Sequence, residues 1–292
     1  MADGRRGSTP RFSGAGGGVG VPVVVGCAVV ALVLGVLVGR FVLGGGAPKA
    51  AFGGKTTVAE ADLDKPMASF TYDGKTEDVT VREAIESEAT LDSVKQDDGT
   101  YTLPKADNAL SVARNKILMK VAEGKGITVS DDELSSYAQK MTGQSDISAI
   151  ASSYQLSEDQ AKEIIRESAL VYKLMDQVTT TKLGDAPTQP QTPAEGTEDQ
   201  ANATYGAYIV GLLGDEWDSA NNTWARQDGP YYQALSSETF SADSATYAQA
   251  QKAYYVAYQQ YTSDKTAQNT EWSDYVDGLL SQATIQLYTL AS

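Results

Sequence analysis

The sequence contains no histidine and only one cysteine in 292 residues. Without an imidazole there can be no Ser-His-Asp triad, no Cys-His pair and no His-x-x-x-His zinc site. The lone Cys27 lies inside an apolar run, which excludes an intramolecular disulfide and a cysteine-rich metal cluster. A carboxylate pair or a Ser-Lys dyad would survive these absences, but no Ser-x-x-Lys occurs. The chain is therefore expected not to be an enzyme and to carry no metal or cofactor. Basic residues are also in short supply, 23 against 38 acids, for a net charge of −15.

What is present begins with a membrane signal. Val19 to Val38 is an uninterrupted uncharged stretch of twenty residues, followed by Arg40 and Phe41-Val42-Leu43. A helix needs roughly twenty residues to cross a bilayer core of about 30 Å. Arg5, Arg6 and Arg11 precede it against the single acid Asp3. The positive-inside rule then keeps residues 1–18 in the cytoplasm as a basic tail, makes 19–43 a single-pass anchor, and exports the rest. Two other readings stay open: a cleaved signal peptide with Gly45-Gly46-Ala47 at the cut, and a lipoprotein with Cys27 as the lipidated residue. All three put the body outside the cytoplasm. Four of the 23 basic residues and one of the 38 acids precede residue 44, so the remainder carries −18. Such a body repels phosphate backbones, and no nucleic-acid partner is expected.

The exported chain reads as mainly α. Residues 44–65 form a Gly/Ala/Lys-containing spacer. In "MASFTYDGKTEDVTV", Phe70 and Tyr72 alternate with polar residues, Asp73-Gly74 marks a tight turn, and Val79 and Val81 return, predicting a small hairpin. Capping boxes at Thr80–Glu83, Ser130–Glu133 and Ser157–Gln160 open helices. Leu110, Ala113, Ile117 and Val121 recur at helical spacing, as do Leu134, Tyr137, Ala138 and Met141, and Ala161, Ile164, Ile165, Ala169, Tyr172, Met175 and Val178. Gly124 and Gly126 close one helix just before Ser130 opens the next, a joint expected to lay the two helices side by side with their apolar stripes facing. These elements predict a helical domain over 66–178. Residues 179–202, rich in Pro, Thr and Gln, read as a linker or a solvated loop.

Beyond residue 203 the composition turns aromatic, with all three tryptophans and eleven of the sixteen tyrosines. Residues 203–292 are expected to be a second helical region, its last helix running from Trp272 to Leu287. Tyr247, Tyr254, Tyr258 and Tyr261 share one helical face and are the candidate peptide-binding residues, since tyrosine offers a broad apolar ring and a hydroxyl at low entropic cost. Ordinary helix packing is the alternative, and the same choice applies to Trp217, Trp224, Tyr231 and Tyr232. Asp62-x-Asp64 and Asp97-Asp98-Gly99 lack the alternating ligands and closing Glu of a calcium loop and read as turns.

The order of these motifs resembles the N-terminal chaperone region of SurA/PrsA-type extracytoplasmic foldases, itself related in form to the peptide-binding part of trigger factor. The resemblance is carried by Tyr72-Asp73-Gly74, by Ala122-Glu123-Gly124-Lys125-Gly126-Ile127-Thr128-Val129-Ser130-Asp131-Asp132-Glu133-Leu134, by Leu156-Ser157-Glu158-Asp159 and by Ile165-Arg166-Glu167. It covers roughly residues 68–178. The parvulin isomerase domain that often follows in such proteins has His-containing and Gly-Gly-Asp-Leu-Gly stretches, and neither occurs here. The resemblance implies a bacterial, membrane-anchored holdase for unfolded or partly folded exported polypeptides, without isomerase activity. The alternative is a cell-envelope scaffold that binds one specific partner through its C-terminal helices.

Overall fold

The computed structural model describes residues 52–288, and the expected tail, anchor and Cys27 lie outside them. Among the described residues no helix is long and apolar enough to cross a membrane. About 54 % of the described residues are helical, so the fold is mainly α. The chain divides into two compact units, one of residues up to Lys173 together with Leu280 onward, the other of Leu174–Leu279.

The first unit is built on a three-stranded antiparallel sheet. Strand β2 (Pro66–Tyr72) turns through Asp73 (φ 50°) and Gly74 (φ 70°) into β3 (Lys75–Thr80). Two successive positive φ values match the right-handed twist of the strands, which explains the Asp-Gly pair. Before the sheet, β1 (Thr57–Val58) pairs with β4 (Tyr101–Thr102). Thr80 receives the N–H of Glu83 while the Glu83 carboxylate receives that of Thr80, so β3 passes directly into helix α1 (Val81–Glu86). After the short α2 (Leu91–Val94) comes α3 (Ala106–Gly124), which lays Ala109, Ala113 and Ile117 on the sheet core of Met67, Phe70, Val79, Val81 and Ile85. Full burial of one such large side chain is worth about 1.5–3 kcal/mol.

The sheet's third strand corrects the expected boundary. Residues 284–287 form strand β7, not the end of a helix, and pair with β2 so that Ile285 faces Phe70 and Leu287 faces Ala68. Thr284 and Ile285 are β-branched, and alternation from Thr284 to Leu287 suits a strand. Ser69, 6 % exposed, is satisfied there by the Tyr288 hydroxyl at 2.8 Å. The first unit therefore includes the chain's last described residues, which the change in composition alone places with 203–292.

Helix α4 (Asp131–Thr142), α5 (Ile147–Tyr154) and α6 (Glu158–Val178) follow, the division between units falling inside α6. At the joint before α4, Gly126 takes the left-handed conformation (φ 72°) whereas Gly124 remains the last residue of α3. Ser130 and Glu133 form the reciprocal capping box. The joint does not oppose two stripes. Ala109, Ala113 and Ile117 of α3 join the sheet core, while Leu134 and Ala138 of α4 gather with Ile150 and Ile165 in a separate cluster. Lys173 fastens the joint by donating to Thr128 O (2.7 Å) and Glu133 (2.6 Å).

The second unit contains α7 (Ala203–Leu213), a hairpin of β5 (Trp217–Asp218) and β6 (Thr223–Trp224), α8 (Pro230–Leu235) and the long α9 (Tyr247–Leu280). Its core joins Tyr205, Ile209, Leu213, Trp217, Tyr231 and Leu235 to Ala250, Ala253 and Ala257. Glu216, 2 % exposed, accepts the N–H groups of Tyr231 (3.3 Å) and Tyr232 (2.8 Å) at the start of α8. A Cβ at Gly229 would sit 2.0 Å from the Glu216 carboxyl carbon, so glycine is what lets that carboxylate approach.

Residues 179–202 are not a free linker. Thr180 and Thr181 each give Glu271 an N–H and a hydroxyl, Gln268 donates to Thr181 O (3.2 Å), and the hydroxyls of Tyr205 and Tyr208 reach Gln191 O (2.8 Å) and Thr188 O (2.6 Å). The segment lacks apolar periodicity because it is held through its backbone, a mode that composition does not reveal.

Candidate functional site

Two surfaces carry chemistry that the packing does not consume. The first is a groove of about 580 Å³ in the first unit, between α3, the first half of α6, the Ile127–Val129 joint and the start of β3. Met119, Ile127, Val129 and Leu170 supply its apolar lining, each half-buried. Met119 and Leu170 each follow a fully packed neighbour, Leu118 and Ala169, and so sit beside the buried face of their helix rather than on it. Methionine is flexible and polarisable, which suits a surface that meets varied side chains.

Charged groups ring that lining. Lys116 donates to Glu83 (2.6 Å) and Asp78 O (3.1 Å), tying α3 to α1 and β3, and Lys120 pairs with Glu77. Arg166 lies 3.8 Å from both Glu163 and Asp131. Glu167 is half-buried and accepts a hydrogen bond from the Asn115 amide. Burial raises its pKa, Glu163 one turn earlier adds to the rise, and Asn115 and Lys116 oppose it.

The second surface is the outward side of α9 in the second unit, where the predicted tyrosines divide. Tyr247 turns inward and packs on Tyr205, ring centres 5.6 Å apart. Tyr254 and Tyr261 are half-buried, and Tyr258 is 49 % exposed. Tyr254 lies 5.8 Å from Tyr258 and 5.7 Å from Tyr255, which is 59 % exposed and falls outside the predicted spacing. The face that α9 buries here is Ala250, Ala253 and Ala257. Small residues take the close helix contact and the rings are displaced to its margin. Beside Tyr254, burial pushes the Tyr208 phenol up to about 12, with Tyr254 and Tyr231 adding to the rise, so it stays neutral.

The other aromatic and acidic candidates are structural. Trp217 stacks on Phe240 at 5.1 Å and meets Trp224 edge-on at 5.4 Å, while Trp224 meets Tyr232 edge-on at 5.2 Å. Asp62 pairs with Lys65, Asp64 takes Arg82 at 2.7 Å, and Asp98 closes a turn on the Thr100 N–H at 2.9 Å. Among the described residues no group of three or more acidic or cysteine side chains is placed to hold a metal ion.

Comparisons with protein-family models, curated proteins and solved structures give no match. The reading of both surfaces therefore rests on their own chemistry. Sequence reasoning missed the groove because its apolar lining is shared between α3, α6 and the Ile127–Val129 joint. The available signal was the pair of apolar residues, Met119 and Leu170, that widen their helical stripes by one position.

Proposed function

We propose that this chain is a membrane-anchored, extracytoplasmic, chaperone-like holdase that binds unfolded or partly folded exported polypeptides without catalysing a reaction. The observation that carries the reading is the groove: four half-buried apolar side chains open to solvent inside a ring of charge, in the unit whose motifs resemble the SurA/PrsA-type chaperone region. An apolar lining shared by separate elements accepts side chains of varied shape, and charge at the rim keeps the empty surface soluble. The anchor reading of residues 19–43 adds a reason for such a module to stand where exported chains emerge.

The test is aggregation of several unrelated denatured proteins in the presence of the full chain in lipid nanodiscs. A holdase suppresses aggregation of all of them at near-stoichiometric ratios. Suppression of none, with capture of one folded envelope protein, would establish the scaffold reading, which the exposed rings of Tyr255 and Tyr258 favour. A prolyl isomerase assay on the same preparation is expected to read zero.

A further inference from the structure

We infer that the groove selects extended peptide segments in which Lys or Arg stands beside a large aliphatic residue; this rests on the peptide-binding reading above. The argument is a balance of charge within one unit. All three cations that line the groove are already committed: Lys116 to Glu83, Lys120 to Glu77, and Arg166 to Glu163 and Asp131. Two lining carboxylates, Glu123 and Glu167, have no cation within ion-pair distance among the described residues. Glu123 is exposed. Glu167 is half-buried, and Asn115 orients it with a neutral donor only.

Spare negative charge therefore lies around the apolar lining of Met119, Ile127, Val129 and Leu170. A guanidinium or ammonium on the incoming segment would give Glu167 the partner it lacks while the adjacent aliphatic side chain covers the lining. An acidic segment would bring like charge against a partly desolvated carboxylate. The raised pKa of Glu167 agrees with this, because a cation restores what burial takes from its charged form. The charge of −18 on the chain beyond residue 43 adds long-range attraction for basic segments.

The test uses the full chain in nanodiscs and three fluorescent peptides identical except at their centre: Leu-Arg-Leu, Leu-Gln-Leu and Leu-Glu-Leu. The arginine peptide is expected to bind about tenfold more tightly than the glutamine peptide, the span of one charge-assisted hydrogen bond, with the glutamate peptide weaker still. The preference should shrink as salt is raised. The double variant Glu123→Gln, Glu167→Gln should bring the ratio of arginine-peptide to glutamine-peptide affinity to about one. In that variant the amide oxygen introduced by Glu167→Gln would still accept from Asn115, and a thermal melt no lower than that of the parent chain confirms the fold. Equal binding of the three peptides, or a preference that survives the double variant, overturns the inference. If that happens while denatured clients are still protected, the holdase reading stands alone. If the arginine preference holds but no client is protected, the inference stands and the holdase reading fails.

Discussion

The groove of the first unit and the tyrosine face of the second offer apolar surface in opposite ways. In the groove the contact atoms are aliphatic, half-buried and enclosed by ions that are mostly paired. On α9 the contact atoms are aromatic rings standing outward from a stretch of helix whose buried residues are Ala250, Ala253 and Ala257. A concave aliphatic lining excludes water from whatever enters it, so truncating that lining should cost affinity directly. A convex row of tyrosines keeps its hydroxyls in water and covers a partner on one side only. On the proposed reading, the groove would select what enters it and the tyrosine face would only adhere.

The largest effect should come from removing what holds the groove's walls in place. Phe70 is fully buried between the sheet and α3, so Phe70→Ala is expected to cost about 3–5 kcal/mol, read as a lowered denaturation midpoint by far-ultraviolet circular dichroism. The second unit has a counterpart in Gly229→Ala, whose methyl would displace the buried Glu216 carboxylate and strip the N–H groups of Tyr231 and Tyr232. Leaving that buried carboxyl group without its two donors should cost about 3 kcal/mol. All three tryptophans lie in the second unit, so their fluorescence follows the second substitution with no signal from the first unit's own residues.

A smaller effect bears on binding alone. Met119→Ser with Leu170→Ser is expected to weaken client peptides about tenfold, near the transfer value of the buried methylenes lost, with a stability change of about 1 kcal/mol or less because both positions are half-buried. Affinity unchanged in a folded variant would move the binding surface away from the groove.

Acid acts on Glu271 and Glu167 with opposite signs. Glu271, held by four donors from Thr180 and Thr181, titrates at about 2 against an ordinary value of 4.5. Its folded pKa is depressed, so its contribution is complete above pH 4.5 and is lost as pH falls from there toward 2. Glu167 is shifted upward by burial, so its own contribution runs the other way, protonation relieving the cost of its buried charge. Hydrogen exchange on residues 179–202 should therefore quicken only in strong acid, and Glu271→Gln should quicken it already at neutral pH.

These contrasts also show how far the residues announced the fold. Punctuation was legible: Thr80, Ser130 and Ser157 cap helices, and Asp73-Gly74 makes the turn, because each acts within four residues. What depended on distant partners was not. The strand at Thr284–Leu287 requires β2, more than two hundred residues earlier in the chain, and residues 179–202 are fixed by hydroxyls and a carboxylate with no periodic signature. The groove escaped notice for the same reason. The tyrosines were visible at once, but periodicity alone did not reveal that alanines, and not rings, would occupy the contact.

That last point yields the smallest and most discriminating test. If Tyr254, Tyr258 and Tyr261 were the packing face of α9, Tyr254→Ser with Tyr258→Ser would leave a cavity and cost several kcal/mol. With Ala250, Ala253 and Ala257 buried and Tyr258 half in solvent, the double variant should instead change stability by only about 0.5 kcal/mol. Its effect on client affinity should be below that of the groove variant, because a ring that already shares its face with a neighbouring ring has less area to bury on a partner. A loss larger than the groove's, at unchanged stability, would reverse the ranking of the two surfaces and make the tyrosine face the principal contact.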